Sequence, residues 1–348
     1  MVRVGIIGVG NCAQAVHVTG VRDSKGGKVV AICDIDPEKL QKVGDLLDLD
    51  EAHRFENYMD LIHCDEVDAV EICTPNHLHV PIALEAIKAG KPFQVEKPIS
   101  VNKTEAQKLV DAVKENPVPN MVCFSYRYRS SVRYAKDIIS RGLLGDIIQV
   151  NVEYQKDSGY WKDRPMEWRF EKKYAGTGVL GDLGVHVIDM AQFLIGDIVR
   201  VCGRTGIVIK ERPIRGTDKM GKVETDDYCN FLVDFANGCS GVFSATRCAI
   251  GQGNTIRYSI FGTKGMIGFN LNKPDEMTVC IGELDVETRG SHVIKVPAKY
   301  KVLQEQTFVD MVAGKECQYL PTVEDGLKCQ KILDAVLESS EHSCWVEV

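Results

Sequence analysis

The chain has 348 residues, 44% hydrophobic and 26% charged, the balance of a soluble globular protein long enough for two domains. A formal net charge of −7 excludes a broad nucleic-acid or acidic-membrane surface, because phosphate binding needs clustered positive charge. No apolar run approaches the roughly 20 residues of a membrane span, and Met1 leads at once into a strand pattern instead of a signal peptide, so a cytoplasmic protein is expected.

The first 125 residues alternate apolar strand-like runs with helical patterns, the signature of a parallel sheet with crossover helices. Strands are predicted at Val2 to Ile7, Lys28 to Cys33, Ala69 to Cys73, Pro92 to Val95 and Met121 to Phe124. Asp36, Pro37 and Glu38 form a helix start, with a capping carboxylate, a proline at the first helical position and an acid at the positive end of the dipole. A second helix, Leu78 to Ala89, stops at Gly90. From 126 the texture changes. A helix from Ser131 to Ser140 leads into a strand from Ile147 to Gln155, an aromatic-bearing loop from Lys156 to Lys173, and a helix carrying Asp182 and His186. Strand then follows strand from Val199 to Val296, with a hairpin of Tyr228 to Phe235 and Cys239 to Thr246 about Ala236-Asn237-Gly238, which implies an antiparallel sheet. Thr322-Val323-Glu324-Asp325 opens a terminal helix of about 322–338, with packing back near the first domain as one expectation. The expected architecture is α/β: a Rossmann doubly wound parallel sheet over 1–125, then an α+β domain over 126–348 with a large, mostly antiparallel sheet.

Thirteen cysteines include no Cys-x-x-Cys pair, and Cys33, Cys73, Cys123, Cys229 and Cys280 sit inside apolar runs. Buried, reduced thiols are therefore expected instead of disulfides, and no metal site.

Gly8-Val9-Gly10-Asn11-Cys12-Ala13 follows a strand and precedes a helix, the context a dinucleotide fingerprint requires. Gly8 permits the tight turn, Gly10 lets the backbone approach a pyrophosphate, and Ala13 keeps helix and strand close. Asp34 ends the second strand, beside Ile35, where it can accept hydrogen bonds from a ribose diol and repel a 2′-phosphate, which favours NAD over NADP. Thr74, Pro75, Asn76 and His79 end another strand at the same edge; Asn76 and His79 can face the cofactor, and a plain turn explains the segment equally well.

Val95-Glu96-Lys97-Pro98 leaves the next strand at that edge. Oxidising a secondary alcohol requires a base for the hydroxyl proton and a cation for developing alkoxide charge. Lys97, oriented by Glu96, suits the second role. In the later helix, Leu183, Val187, Met190 and Leu194 form the expected buried stripe, while Asp182, His186 and Asp189 share another face at i, i+4 and i+7. His186 can act as base and Asp182 can hold the imidazole or the substrate. Glycines at 176, 178, 181 and 184 point to close approach of something to this backbone.

Taken in order, Gly8-Val9-Gly10, Thr74-Pro75-Asn76, Val95-Glu96-Lys97-Pro98, Tyr126-Arg127-Tyr128 and Gly181-Asp182-Leu183-Gly184-Val185-His186 resemble the Gfo/Idh/MocA oxidoreductases over nearly the whole chain. The resemblance implies Lys97, Asp182 and His186 as the catalytic group, with cofactor contacts from Gly8, Gly10, Asn11, Cys12, Asp34, Ile35, Thr74, Pro75, Asn76, His79, Glu96 and Lys97. It also implies a lysine–proline peptide that is often cis, pairing of copies through the sheet's open face into dimers or tetramers, and a sugar or cyclitol substrate. Arg127 matches a family arginine without an assigned role. Tyr160, Trp161, Trp168 and Arg169 suit stacking on a sugar ring, or packing at the domain junction; Arg127, Tyr160, Trp161 and Arg169 are the substrate-side candidates. Ala13 stands where the fingerprint often has a third glycine, and Gly176-Thr177-Gly178 replaces a longer glycine run. Two rivals share the fold: a redox-neutral enzyme that retains NAD while acting on glycosides, and a dinucleotide sensor, a class that tends to lose the lysine and histidine kept here.

Overall fold

Short apolar strands with crossover helices build the first sheet in the computed structural model, which describes residues 1–348. These are β1 (Val2–Ile7), β2 (Gly27–Cys33), β3 (Arg54–Phe55), β4 (Ala69–Ile72), β5 (Phe93–Val95) and β6 (Asn120–Val122), in the order β3-β2-β1-β4-β5-β6, all parallel. Val4, Ile6, Val70, Ile72, Phe93 and Val95 are fully buried, which contributes about 1.5–3 kcal/mol each. The strand order reverses beside β1 and β4, and ligands of open parallel sheets bind at the carboxyl edge of such a switch point. Asp36 caps the helix Pro37–Leu46 by accepting from the amides of Glu38 and Lys39. The helix His79–Lys88 ends before Gly90, whose φ of 67° needs no β-carbon. The strand β3 carries no signal of its own in the sequence, being only two residues long.

The second sheet has nine strands: β7 (Ile147–Lys156), β8 (Ile198–Gly206), β11 (Tyr228–Phe235), β12 (Ser240–Thr246), β13 (Asn254–Gly262), β14 (Gly265–Asn270), β15 (Glu276–Ile281), β16 (His292–Lys295) and β17 (Val346–Glu347); β9 (Glu211–Pro213) and β10 (Met220–Lys222) form a separate ribbon. The order is β16-β15-β14-β13-β7-β12-β11-β8-β17. It is not wholly antiparallel, because β7 inserts between β12 and β13 and pairs parallel with β12. A strand placed between two successive antiparallel strands cannot oppose both. Side chains alternate along β11: Cys229, Phe231, Val233 and Phe235 are buried, whereas Asn230 and Leu232 face outward. On the buried side the Tyr258 hydroxyl donates to the Val187 carbonyl, at 2.5 Å, and so ties β13 to the helix Val185–Leu194. That helix is buried on every side except at Gln192, so the expected single apolar stripe is corrected to a central, wholly enclosed helix.

The chain divides into two units, 1–124 with 302–328, and 125–301 with 329–348. Residues 302–321, expected in the second domain, thus group with the first, as does the start of the terminal helix, 322–328, for which a place near the first domain was expected. The Val122 amide of edge strand β6 donates to the Pro321 carbonyl at 2.8 Å, and the Val323 amide donates to Asn120 Oδ1 at 3.0 Å. Glu305, from the helix Gln304–Val312, packs where a side chain at position 20 would stand.

Candidate functional site

In the first unit, Gly8 has φ of +89°, and a β-carbon there would lie 2.9 Å from the Cys73 carbonyl, so the turn closes only with glycine. At Gly10 a β-carbon would meet nothing within 4 Å. The turn therefore leaves open space where the fingerprint expects a pyrophosphate. Asn11 and Cys12 are exposed next to it. The following helix starts as a π-turn, Ala13–Val18, before the α-helical Thr19–Asp23; such turns occur frequently at functional sites. Asp34 accepts from the amides of Val9 and Asp36 at 3.0 Å each, which sets its carboxylate at the tip of β2 beside exposed Ile35. Thr74 Oγ1 is buried without a hydrogen-bond partner at the tip of β4, next to Pro75 and buried Asn76. Gly8, Gly10, Asp34 and Thr74 share one sheet edge and fit a dinucleotide.

His79 takes a different part. Its ring is fully buried, with Nδ1 2.8 Å from the Pro98 carbonyl and Nε2 2.8 Å from the Thr74 carbonyl. Burial lowers its pKa, with the two carbonyl contacts opposing that shift. It braces the Thr74 and Pro98 loops at the sheet edge through both ring nitrogens. The Lys97–Pro98 peptide is cis. Glu96 Oε2 accepts the Lys97 amide at 3.1 Å, and Glu96 Oε1 lies 3.0 Å from His17 Nε2. His17 was not singled out by the sequence, and neither was Glu71, whose Oε2 lies 2.9 Å from His17 Nδ1. Cys12, His17 and Glu96, and likewise His17, Glu71 and Cys73, bring potential metal-ligating atoms within 4.8 Å of one another. Both ring nitrogens are already engaged by carboxylates, so a proton meets the same charge.

In the second unit, the π-turn Leu180–Gly184 carries half-buried Asp182 into the helix with His186. The glycines here accommodate the chain itself. A β-carbon at Gly178 would stand 2.0 Å from the Asp226 carbonyl, and Asp226 accepts from the Gly178 and Leu180 amides at 2.6 and 2.7 Å. His186 is buried edge-on against Tyr126, with ring centroids 4.6 Å apart, and 6.5 Å from Tyr154. The two tyrosine hydroxyls lie 2.9 Å apart. Burial first, then Tyr126 and the charge of Asp182, push the Tyr154 hydroxyl well above its ordinary pKa, so it stays protonated. Tyr154 carries no motif; only strand alternation marks its inward face.

Asp189, expected on the same face as Asp182 and His186, faces Arg127 instead. The guanidinium is bidentate to it, with Nε 2.8 Å from Oδ2 and Nη2 2.5 Å from Oδ1, and both residues are buried. Arg127 is thus engaged in an ion pair that ties residues 125–128 to the long helix. Tyr160 and Trp161 are exposed and meet edge-to-face, while Arg169 lies over Trp168, 4.4 Å from its centroid. Their loop is anchored by Arg212, which the sequence did not mark: fully buried, it donates to the Trp161 and Gly159 carbonyls at 2.7 and 2.5 Å and lies over Phe170.

Comparison with known proteins agrees with these two halves. A family model described as oxidoreductase family, NAD-binding Rossmann fold, matches residues 2–124, and one described as GFO/IDH/MocA C-terminal domain matches 132–268. Levoglucosan dehydrogenase of Pseudarthrobacter phenanthrenivorans is 33% identical over 84% of this chain and 84% of its own length. Glucose-6-phosphate 3-dehydrogenase of Bacillus subtilis is 25% identical over 99% of this chain and 97% of its own. The structure of a levoglucosan dehydrogenase complexed with NADH and L-sorbose superposes with a TM-score of 0.92 at 30% identity, covering 100% of this chain and 99% of that one. No helix is long and apolar enough to cross a membrane.

Proposed function

The chain belongs to the Gfo/Idh/MocA oxidoreductase family, with an NAD-binding Rossmann unit, and from that premise we propose that it oxidises one ring secondary alcohol of a sugar or cyclitol to the ketone. The observation that carries this reading is the placement of Lys97 just past the tip of β5, on the same sheet edge as Gly8, Asp34 and Thr74. Bound NAD supplies the hydride acceptor. The open space at Gly10 would receive the pyrophosphate, and the Asp34 carboxylate would accept from the ribose diol. His186 takes the hydroxyl proton as hydride leaves carbon. Lys97, held through its amide by Glu96, donates to the reacting oxygen and stabilises its developing charge. Asp182 holds the imidazole or a neighbouring hydroxyl. The relatives named for levoglucosan and glucose 6-phosphate support a ring hydroxyl of a carbohydrate as the target. A second copy of the chain fits the open face of the nine-stranded sheet, where Leu232 and Val242 pair in register and are exposed, giving a dimer or tetramer.

The test is NADH formation from added NAD against cyclitols, free sugars and glycosides. Steady turnover on one class, lost in Lys97→Ala and in His186→Ala, is expected. Turnover surviving in both variants overturns the mechanism. Silence throughout, with nicotinamide retained by the purified protein, replaces it with the redox-neutral reaction.

A further inference from the structure

Beneath the Glu96–Lys97 turn the first unit buries an ionic chain that the proposed chemistry leaves unused. His17 lies in the helix after the dinucleotide turn, Glu71 on β4 and Glu96 just after β5. His17 and Glu71 are completely buried, and the Glu96 side chain is 16% exposed. The two ring nitrogens stand 2.9 Å from Glu71 Oε2 and 3.0 Å from Glu96 Oε1. A neutral imidazole has a single N–H and would aim its remaining lone pair at a carboxylate oxygen. Two hydrogen bonds to carboxylates therefore call for the imidazolium, which also supplies the positive charge that a buried carboxylate requires.

The surroundings agree. Gln94 Nε2 lies 3.4 Å from His17 Nδ1, while its own Oε1 is buried without a partner. Amide nitrogen and oxygen are assigned from the hydrogen-bond network alone, and turning the Gln94 amide over replaces a donor facing the Nδ1–H with an oxygen, which a protonated ring favours. The titratable groups facing His17 are Cys12 at the start of its own helix, Glu71 and Cys73 at β4, Glu96 after β5, Cys123 after β6 and Glu305 from the helix Gln304–Val312. Burial opposes charge on the ring, and burial also pushes the Cys73 and Cys123 thiols up, so they stay uncharged; the countercharge that holds the His17 pKa well above its ordinary value is that of the Glu71 and Glu96 carboxylates at 2.9 and 3.0 Å.

We propose that His17 is a positioning residue that keeps its proton: anchored on Glu71, the imidazolium fixes Glu96, and Glu96 fixes the backbone of Lys97. The inference rests on the role proposed for Lys97. It explains why an acid precedes that lysine: one Glu96 oxygen meets the ring while the other accepts the Lys97 amide at 3.1 Å. The positioning force is present while the ring is charged and is lost as pH rises through the His17 pKa. Removing one carboxylate brings that loss to lower pH.

The experiment uses the full chain with NAD and its best substrate. The ¹⁵N ring resonances of His17, assigned by their absence in His17→Gln, are expected to report both nitrogens protonated at pH 8; a neutral tautomer overturns the proposal. In His17→Gln, kcat is expected to fall by about 10-fold or more per folded molecule while KM for NAD stays within about threefold, since small misplacements of a reacting group are costly. Added to Lys97→Ala, the same change is expected to cost nothing further; fully additive losses overturn the proposal. Glu71→Gln keeps an acceptor for the ring and guards against a misfolded His17 variant. Its kcat is expected to fall at lower alkaline pH than in the parent, and an unmoved profile contradicts the coupling. The two readings fail differently. Turnover intact in Lys97→Ala removes the catalytic lysine itself, whereas loss in Lys97→Ala with full kcat in His17→Gln removes only the positioning role.

Discussion

The two units bury histidines in opposite surroundings. His17 sits between the carboxylates of Glu71 and Glu96, whereas His186 is flanked by the rings of Tyr126 and Tyr154. Flanking carboxylates hold a proton in place, which suits a group that orients others. The tyrosine rings fix the position and plane of the His186 imidazole, which serves the proton transfer proposed for it. The second unit has its own fixed ion pair a turn further along, Arg127 with Asp189, which does for the long helix what His17 with Glu71 does for the dinucleotide edge.

Breaking that second pair is the largest expected effect. Arg127→Met leaves the Asp189 charge buried and is expected to cost about 3–5 kcal/mol of stability, measured as a shift in urea midpoint. Arg127→Met with Asp189→Leu is expected to recover most of it. A single variant as stable as the parent would remove the pair from the account. His186→Ala tests the other arm of the comparison, with an expected loss of about 100-fold or more in kcat per folded molecule. Activity that survives in this variant would return His186 to a packing role.

A third change sharpens the account of the His17 environment. Burial pushes the Glu305 carboxyl from 4.5 to about 7, with neighbouring Glu71 adding to the rise and His17 opposing it. The folded chain then binds a proton that the unfolded chain has released, so this group costs stability as pH rises from about 4.5 to about 7, and the whole cost remains above that. Glu305→Gln is expected to flatten that slope and to raise stability at pH 8 by about 2 kcal/mol, read as melting temperature against pH. An unchanged slope would place the titration elsewhere. The smallest effect is expected from Tyr154→Phe, which removes one hydroxyl from the pair with Tyr126 and is worth about 1 kcal/mol in stability with little change in kcat. A large fall in kcat would instead make the Tyr154 hydroxyl part of the chemistry.

Local signals determined much of this protein. The strand Val2–Ile7, the Asp36 cap, the stop at Gly90 and the hairpin at Gly238 all follow from residues adjacent in the chain. So does the placement of Gly8, Asp34, Thr74 and Lys97 at one sheet edge, because parallel strands carry their following residues to the same side. Only the tertiary structure decided what reaches across that pattern. The insertion of β7, the return of 302–328 to the first unit, and the pairing of Arg127 with Asp189 join segments far apart in sequence, and no local periodicity encodes a partner. The same holds for the glycines near 178, whose close neighbour is Asp226, and for the Asp182 segment, whose π-turn departs from helical spacing. Nothing in the sequence singles out His17; its meaning comes from two carboxylates, on β4 and just after β5, which only the packed sheet brings within reach of one ring.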